Sequence, residues 1–204
     1  MNETNPWADI ALKDYESHMS SDNVFQLQTL NQIMAEQSLC RKNAIAILGV
    51  AGGNGLEHFR EADVIYAIDI NEEYLMQCRM RFSYFGDKLK LICQDLNYAN
   101  LPKCQLLICN LIIEYIGIEM FVSLLKRTDF EVVSCVIQKN KDNHFVSISQ
   151  SANKLDSLSD YHKDIDEKGL VNSVGLPVVL KKIYKLPNGK EFIRLDFAKS
   201  SFEE

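Results

Sequence analysis

The sequence predicts an α/β protein, a doubly wound domain whose parallel sheet ends in an antiparallel hairpin. Three observations carry that. Short apolar runs recur at 44–48, 63–68, 89–93, 105–109 and 132–137, continuous rather than alternating, as strands buried on both faces are. Periodic helical segments separate them, and strand–helix alternation makes a sheet parallel. The C-terminal part then changes to two longer strand-like runs, 178–186 and 191–198, joined by Pro187-Asn188-Gly189, a strong turn signal.

Taken in order, the chain before residue 40 is helical. Pro6 suits a first helical turn, and Leu12, Tyr15 and Met19 then share one face, with His18 beside them. Ser20, Ser21, Asp22 and Asn23 offer caps for a second helix with the apolar stripe Val24, Leu27, Leu30, Ile33 and Met34. Residues 1–40 therefore read as a helical cap on a core of residues 41–204, the two forming one compact domain. Within the core, helices are expected over 71–85, 118–127 and 152–168. Ile193, Leu195 and Phe197 alternate with Arg194 and Asp196, the pattern of a half-exposed strand.

Bulk properties exclude several classes of function. A chain of 204 residues supports one full core, and a net charge of −6 disfavours nucleic acid or anionic membrane as the main partner. The polar, acidic N-terminus is no signal peptide, and no apolar run approaches the ~18 residues of a membrane span. Six cysteines without a C-x-x-C pair, three of them (Cys93, Cys109 and Cys135) in apolar runs, read as reduced, buried thiols. A cytoplasmic location is expected. His58, His144 and His162 lack partners at ligand spacing, so no metal is assigned.

Four of the nine glycines fall between positions 49 and 55, where the first strand ends in AILGVAGGNG. Glycine admits positive φ and lets a ligand lie against the backbone, and a strand–loop–helix unit presents free N–H groups and a positive helix end. Asp69 closes the second strand sixteen residues after Gly53, near the spacing of about 20 at which doubly wound folds place a carboxylate for ribose. Loop and carboxylate together point to an adenosine-containing ligand. A dinucleotide fingerprint needs a third glycine, and Gly53-x-Gly55 runs instead into Leu56, Glu57 and His58.

Over residues 41–204 the sequence resembles the class I, Rossmann-like S-adenosylmethionine-dependent methyltransferases. Gly49-x-Ala51-x-Gly53 is similar to the family's glycine loop, with alanine in place of the central glycine. Asp69, with Ile70 next to it, matches the ribose carboxylate. Asp95 matches the residue that meets the adenine amino group, with Leu96 beside the ring. Asn110 matches the end of strand four that faces the methyl donor. The closing hairpin fits the family's antiparallel seventh strand. The resemblance implies a sheet of order 3-2-1-4-5-7-6 with the last strand antiparallel, an N-terminal helical lid, and S-adenosylmethionine as cofactor. One position departs. The family's acidic residue two places before the first glycine is Ile47 here, so the methionine end of the cofactor needs other acceptors, such as the Gly49 carbonyl or Asn110.

Methyl transfer needs an acceptor held in line and often a base that removes a proton. Glu114 and Tyr115 interrupt the apolar run NLIIEYIG just past strand four. The carboxylate is placed to act as a base or to bind a cationic substrate, and the tyrosine to wall the methyl pocket; the alternative is a solvent-facing Glu and a packing Tyr. Tyr15 and His18 on the N-terminal helix are the second candidates, Tyr15 against the cofactor and His18 as a base, or else as stripe and rim of a packed helix. Asn110 lacks the Pro-Pro-aromatic that follows it in enzymes methylating base or amide nitrogen. The expected activity is methylation of a small molecule. Two rivals remain open: a non-catalytic cofactor-binding module, and a nicotinamide-dependent oxidoreductase. Oligomeric state is left open.

Overall fold

The computed structural model describes residues 6–140, 158 and 161–199. Seven strands form one sheet: β1 (Ala44–Leu48), β2 (Val64–Asp69), β3 (Leu89–Cys93), β4 (Leu106–Asn110), β5 (Val132–Lys139), β6 (Val178–Lys185) and β7 (Glu191–Ala198). Their order is β3-β2-β1-β4-β5-β7-β6. β1 to β5 pair in parallel, and β7 runs antiparallel to both β5 and β6. Both the expected order and the reversed last strand are present. β1 is central, with Ile47 level with Ala67 of β2 on one side and Ile108 of β4 on the other. The strand order reverses between β1 and β4, where doubly wound sheets leave a crevice at the strands' carboxyl ends.

Each face of the sheet is covered because the strands are apolar on both sides. On one face, α5 (Ile118–Arg127) and α6 (Glu167–Val174) bring Phe121, Leu124 and Leu170 against Cys109, Val133, Cys135 and Phe197. On the other, α3 (Glu72–Arg81) packs Leu75 and Cys78 on Ile45, Ile65 and Ala67. The N-terminal segment splits in two. α2 (Gln26–Ser38) lays Leu30 and Ile33 on Val136, Phe192 and Tyr184, completing the second face, while α1 (Leu12–Ser20) reaches the crevice.

Five expectations are corrected. The glycine loop feeds a single 3-10 turn, Leu56–Phe59, and no α-helix. α2 supplies cover there, since its Met34 joins the cluster of Ile47, Leu56 and Ile108. None of the Ser-Asp-Asn run caps α2; Phe25 stands at its N-cap in the left-handed region, with no side-chain cap hydrogen bond. The helix expected over 152–168 lies largely outside the described residues; within them, 161–166 is not helical, and α6 starts at Glu167 with Asp166 accepting from the Gly169 N–H at 2.7 Å. Cys40 and Cys93 are exposed rather than buried, Cys93 because it ends β3 at the sheet's edge. The helix over 71–85 stops at Arg81 and continues as a 3-10 segment kinked at Gly86.

A buried polar chain ties α2 to the sheet. Gln37, fully buried, donates to Ser134 Oγ at 2.8 Å, and that hydroxyl donates to Asp196, which Arg194 grips at 2.9 and 2.6 Å. Glu36 accepts from Lys182 and Tyr184 at 2.8 and 2.5 Å. Among the described residues, no helix is long and apolar enough to cross a membrane.

Close approach of α2 depends on Gly55, which sits at φ +87° with room for no side chain: an added Cβ would stand 2.5 Å from Met34 Cβ. Gly55→Ala forces both a strained φ and a clash, so it should destabilise by on the order of 3 kcal/mol. Thermal unfolding should record this as a Tm lower by roughly 10 °C.

Candidate functional site

Loops from the carboxyl ends of β1 to β5 converge on one cavity of about 220 Å³, which α1 and Trp7 border. Tyr15, His18, Gly49, Ala51, Asp69, Ile70, Asp95, Leu96, Asn110, Glu114 and Tyr115 all line it. Gly53 is not among the lining residues, although its neighbours Gly52 and Asn54 are. Its N–H donates to Val50 O at 2.9 Å, and the space of its missing side chain is filled by Phe82 and Cys78. Its role is in the turn and in packing α3.

The tip of β1 is folded back on β2. The Gly49 and Val50 N–H groups both donate to Ile68 O, at 2.8 and 3.2 Å, and the Ala51 N–H donates to Asp69 Oδ2 at 2.9 Å. These donors are therefore used within the fold, contrary to the expectation of free N–H groups. Ala51 holds φ +48°, the left-handed conformation for which the family's glycine is suited. Asp69 is buried; its Oδ1 accepts the Asn71 N–H at 3.0 Å, and burial pushes its carboxyl up despite these backbone donors. Asn71, not Asp69, caps α3, accepting from the Tyr74 N–H at 3.2 Å. The same side chain donates to Trp7 O at 2.9 Å and so pins the N-terminal segment beside the cavity.

Asp95 Oδ1 accepts from both the backbone and side-chain amides of Asn97 at 2.9 Å, which leaves Oδ2 for a ligand. Leu96 is buried beside it. Asn110 lines the cavity but is held from behind: its amide exchanges two hydrogen bonds with Gln37, at 3.0 and 3.1 Å. Gln37 was not anticipated as a site neighbour. The available signal is a polar residue three positions after Met34, on the apolar stripe of α2.

Glu114, in the short helix α4 (Ile113–Ile116), is only 1 % exposed, so a solvent-facing role is excluded. Its Oε1 accepts the Gln138 N–H at 2.7 Å, and its Oε2 has no partner among the described residues. Burial lifts its carboxyl from 4.5 to about 7. Gln138 in turn accepts from Gln26 and donates to Asn140, both at 2.7 Å, so the tip of β5 is fixed. Tyr115 lies edge-on to Trp7, whose ring also meets Tyr15 edge-on at 5.6 Å. Burial raises both tyrosine hydroxyls' pKa values and keeps them neutral. His18 is buried, and burial followed by Lys190 lowers its pKa; burial lowers His162, another lining residue, to about 4. Both imidazoles are neutral near pH 7. Sequence reasoning gave neither Trp7 nor His162 a place at the site, because both reach it from segments far from the strand ends. The lid helix is clasped by Glu16, whose carboxylate takes two hydrogen bonds from Arg81. Among the described residues no cluster of His, Cys, Asp or Glu is placed to hold a metal ion.

No protein-family model matches the chain, and no curated protein does. Solved structures do. Magnesium protoporphyrin IX methyltransferase from Synechocystis PCC 6803, with S-adenosylmethionine bound, superposes with a TM-score of 0.71 at 12 % identity, over 98 % of this chain and 100 % of that one. The N-methyltransferase NodS from Bradyrhizobium japonicum WM9, in complex with S-adenosylhomocysteine, gives 0.65 at 10 % identity, over 93 % and 98 %. The [4+2]-cyclase SpnF gives 0.63 at 9 % identity, over 84 % and 80 %. At these identities the likeness is one of fold: this chain has the fold of the class I methyltransferases.

Glu114 gives the site a measurable pH signature. Folding raises its pKa, so the folded chain holds the proton more tightly than the unfolded chain. That stabilisation is full below about pH 4.5 and is lost as pH rises through about 7. The loss is on the order of 3 kcal/mol at about 1.4 kcal/mol per unit. Glu114→Gln should therefore flatten the fall in Tm between about pH 5 and 8, with Asp69, raised in the same direction, leaving a residual slope.

Proposed function

We propose that the protein is a methyltransferase that uses S-adenosylmethionine and acts on a small molecule. The observation that carries this is the sequence of groups around the cavity: the folded-back loop at β1, Asp69 at β2, Asp95 with Leu96 after β3, and Asn110 at β4, in a sheet with a reversed seventh strand. These residues suit an adenosine. Ile70 and Leu96 offer apolar surface for a purine, Asp95 Oδ2 an acceptor for its amino group, and Asp69 lone pairs for ribose hydroxyls. With the N–H groups of 49–51 spent on Ile68 O and Asp69, these three donors do not compete with the cofactor's ammonium end, for which the Gly49 carbonyl is the proposed acceptor in place of the carboxylate missing at Ile47.

When bound, S-adenosylmethionine would supply a methyl group activated as a sulfonium. The chain's own part is to hold the acceptor and manage its proton. Glu114 is the proposed base, since it borders the cavity, its buried Oε2 has no partner among the described residues, and burial lifts its carboxyl to about 7. His18 and Tyr115 are proposed to wall the acceptor, and Tyr15 the cofactor. The division into an N-terminal cap and a core, and a cytoplasmic location, belong to the same proposal.

The dinucleotide rival loses support at the loop. A pyrophosphate needs free N–H groups and a helix N-terminus, and here the N–H groups of Gly49, Val50, Ala51 and Gly53 are spent and the loop ends in a four-residue 3-10 turn. The non-catalytic rival is tested by turnover, and the likeness to a [4+2]-cyclase is a reason to measure turnover apart from binding.

Calorimetry should give micromolar binding of S-adenosylmethionine and S-adenosylhomocysteine and no binding of NADH. Asp69→Asn, checked for folding because its NH2 replaces an oxygen that accepts a backbone N–H, should weaken S-adenosylhomocysteine binding by about 10- to 100-fold. Absence of heat with either sulfur ligand, in a folded protein, would refute the function proposed.

A further inference from the structure

The four carboxylates around the cavity differ in how they are satisfied. Glu16 is paired with Arg81, Asp69 accepts three backbone N–H groups, and Asp95 is bridged to Asn97. Glu114 alone keeps a buried oxygen with no partner, and among the described residues that line the cavity there is no lysine or arginine. No side-chain charge contributes to its raised pKa; burial dominates, opposed only by backbone N–H groups. Lys190 acts on His18 and His162 instead. An ionised carboxylate in such a place costs several kcal/mol unless a cation joins it, roughly the penalty for an uncompensated buried charge.

Position separates this oxygen from the cofactor's end of the cavity. Glu114 is tethered through Oε1 to the tip of β5, one strand beyond β4 and two from the β1 loop. Tyr115, next in the chain, meets the Trp7 ring at 5.0 Å, and Trp7 meets Tyr15. A carboxylate sharing a cavity with a group of electron-rich rings is the arrangement that recognises an ammonium group, through charge and through the ring faces. An anionic acceptor would meet like charge, and an alcohol would leave the ionised Glu114 without a counter-charge.

Resting on the function proposed above, we propose that the methyl acceptor is a small amine, bound as its ammonium ion with an N–H on Glu114 Oε2 and its carbon frame against Trp7 and Tyr115. The ammonium nitrogen then passes one proton to Oε2, the N–H bond breaking as an O–H bond forms. That leaves a neutral amine with a free lone pair and a neutral carboxyl group.

Trp7 is the only tryptophan in the chain, so its emission reports on this end of the cavity directly. Benzylamine, phenethylamine, phenethyl alcohol and phenylacetate are titrated at about pH 8, with S-adenosylhomocysteine present and absent, following Trp7 fluorescence. At least one amine should bind about tenfold or more tightly than the alcohol and phenylacetate, and Glu114→Gln should weaken that amine about tenfold while changing S-adenosylhomocysteine affinity less than about twofold. Equal binding of amine and alcohol, preference for phenylacetate, or no amine binding up to about 10 mM would overturn the amine assignment. So would a Glu114→Gln chain that loses S-adenosylhomocysteine and keeps the amine, which would give Glu114 to the cofactor's ammonium. Amine selectivity without S-adenosylhomocysteine binding would refute methyl transfer and leave the amine site standing. The unsubstituted protein's choice between amine and alcohol decides the matter even if Glu114→Gln fails to fold.

Discussion

The buried carboxylate of Asp69 is the junction on which the crevice depends. One oxygen holds the Ala51 N–H and the other the Asn71 N–H, so a single side chain joins the tip of β1 to the start of α3. Asn71 then caps α3 and pins the backbone at Trp7, and Tyr74 fixes Ile10 O at 2.8 Å. Loop, helix start and N-terminal segment are thereby placed relative to one another by hydrogen bonds that start at one carboxylate. Ala51 can keep a left-handed conformation because this bond compensates a strain of about 1 kcal/mol or more.

The sheet was legible because its signal is physical and local. Strands buried on both faces must be continuously apolar, and that is how β1, β2, β4 and β5 are written in the chain. The order and the reversed β7 came from resemblance, carried by Asp69, Asp95, Asn110 and the Pro187–Gly189 turn. Helix boundaries were less legible, since the loop after β1 looks like a helix start until α2 is seen occupying the space. Nothing local in residues 56–59 reveals that a helix from before β1 covers them.

Among site residues, those at strand ends were readable and those acting across the fold were not. Asn110 could be placed at the end of β4, but its partner Gln37 lies 73 positions earlier, and only a polar residue on an apolar stripe hints at it. At Gly53 a packing demand from Phe82 and Cys78 is present, and a glycine needed for packing has the same sequence appearance as one needed by a ligand. Glu114 was found through an interrupted apolar run; that one of its oxygens would be orphaned depends on the Gln138 N–H reaching only the other.

The anchoring of α2 has a consequence for how the chain acquires its shape. Glu36 and Tyr184 are joined across 148 positions, so α2 bonds to a strand that is made long after it. Loop closure over that span must precede any gain from the contact. Until β6 and β7 are made, Leu30 and Ile33 have only Val136 of β5 to rest on, so part of that apolar stripe stays uncovered while the intervening chain is synthesised.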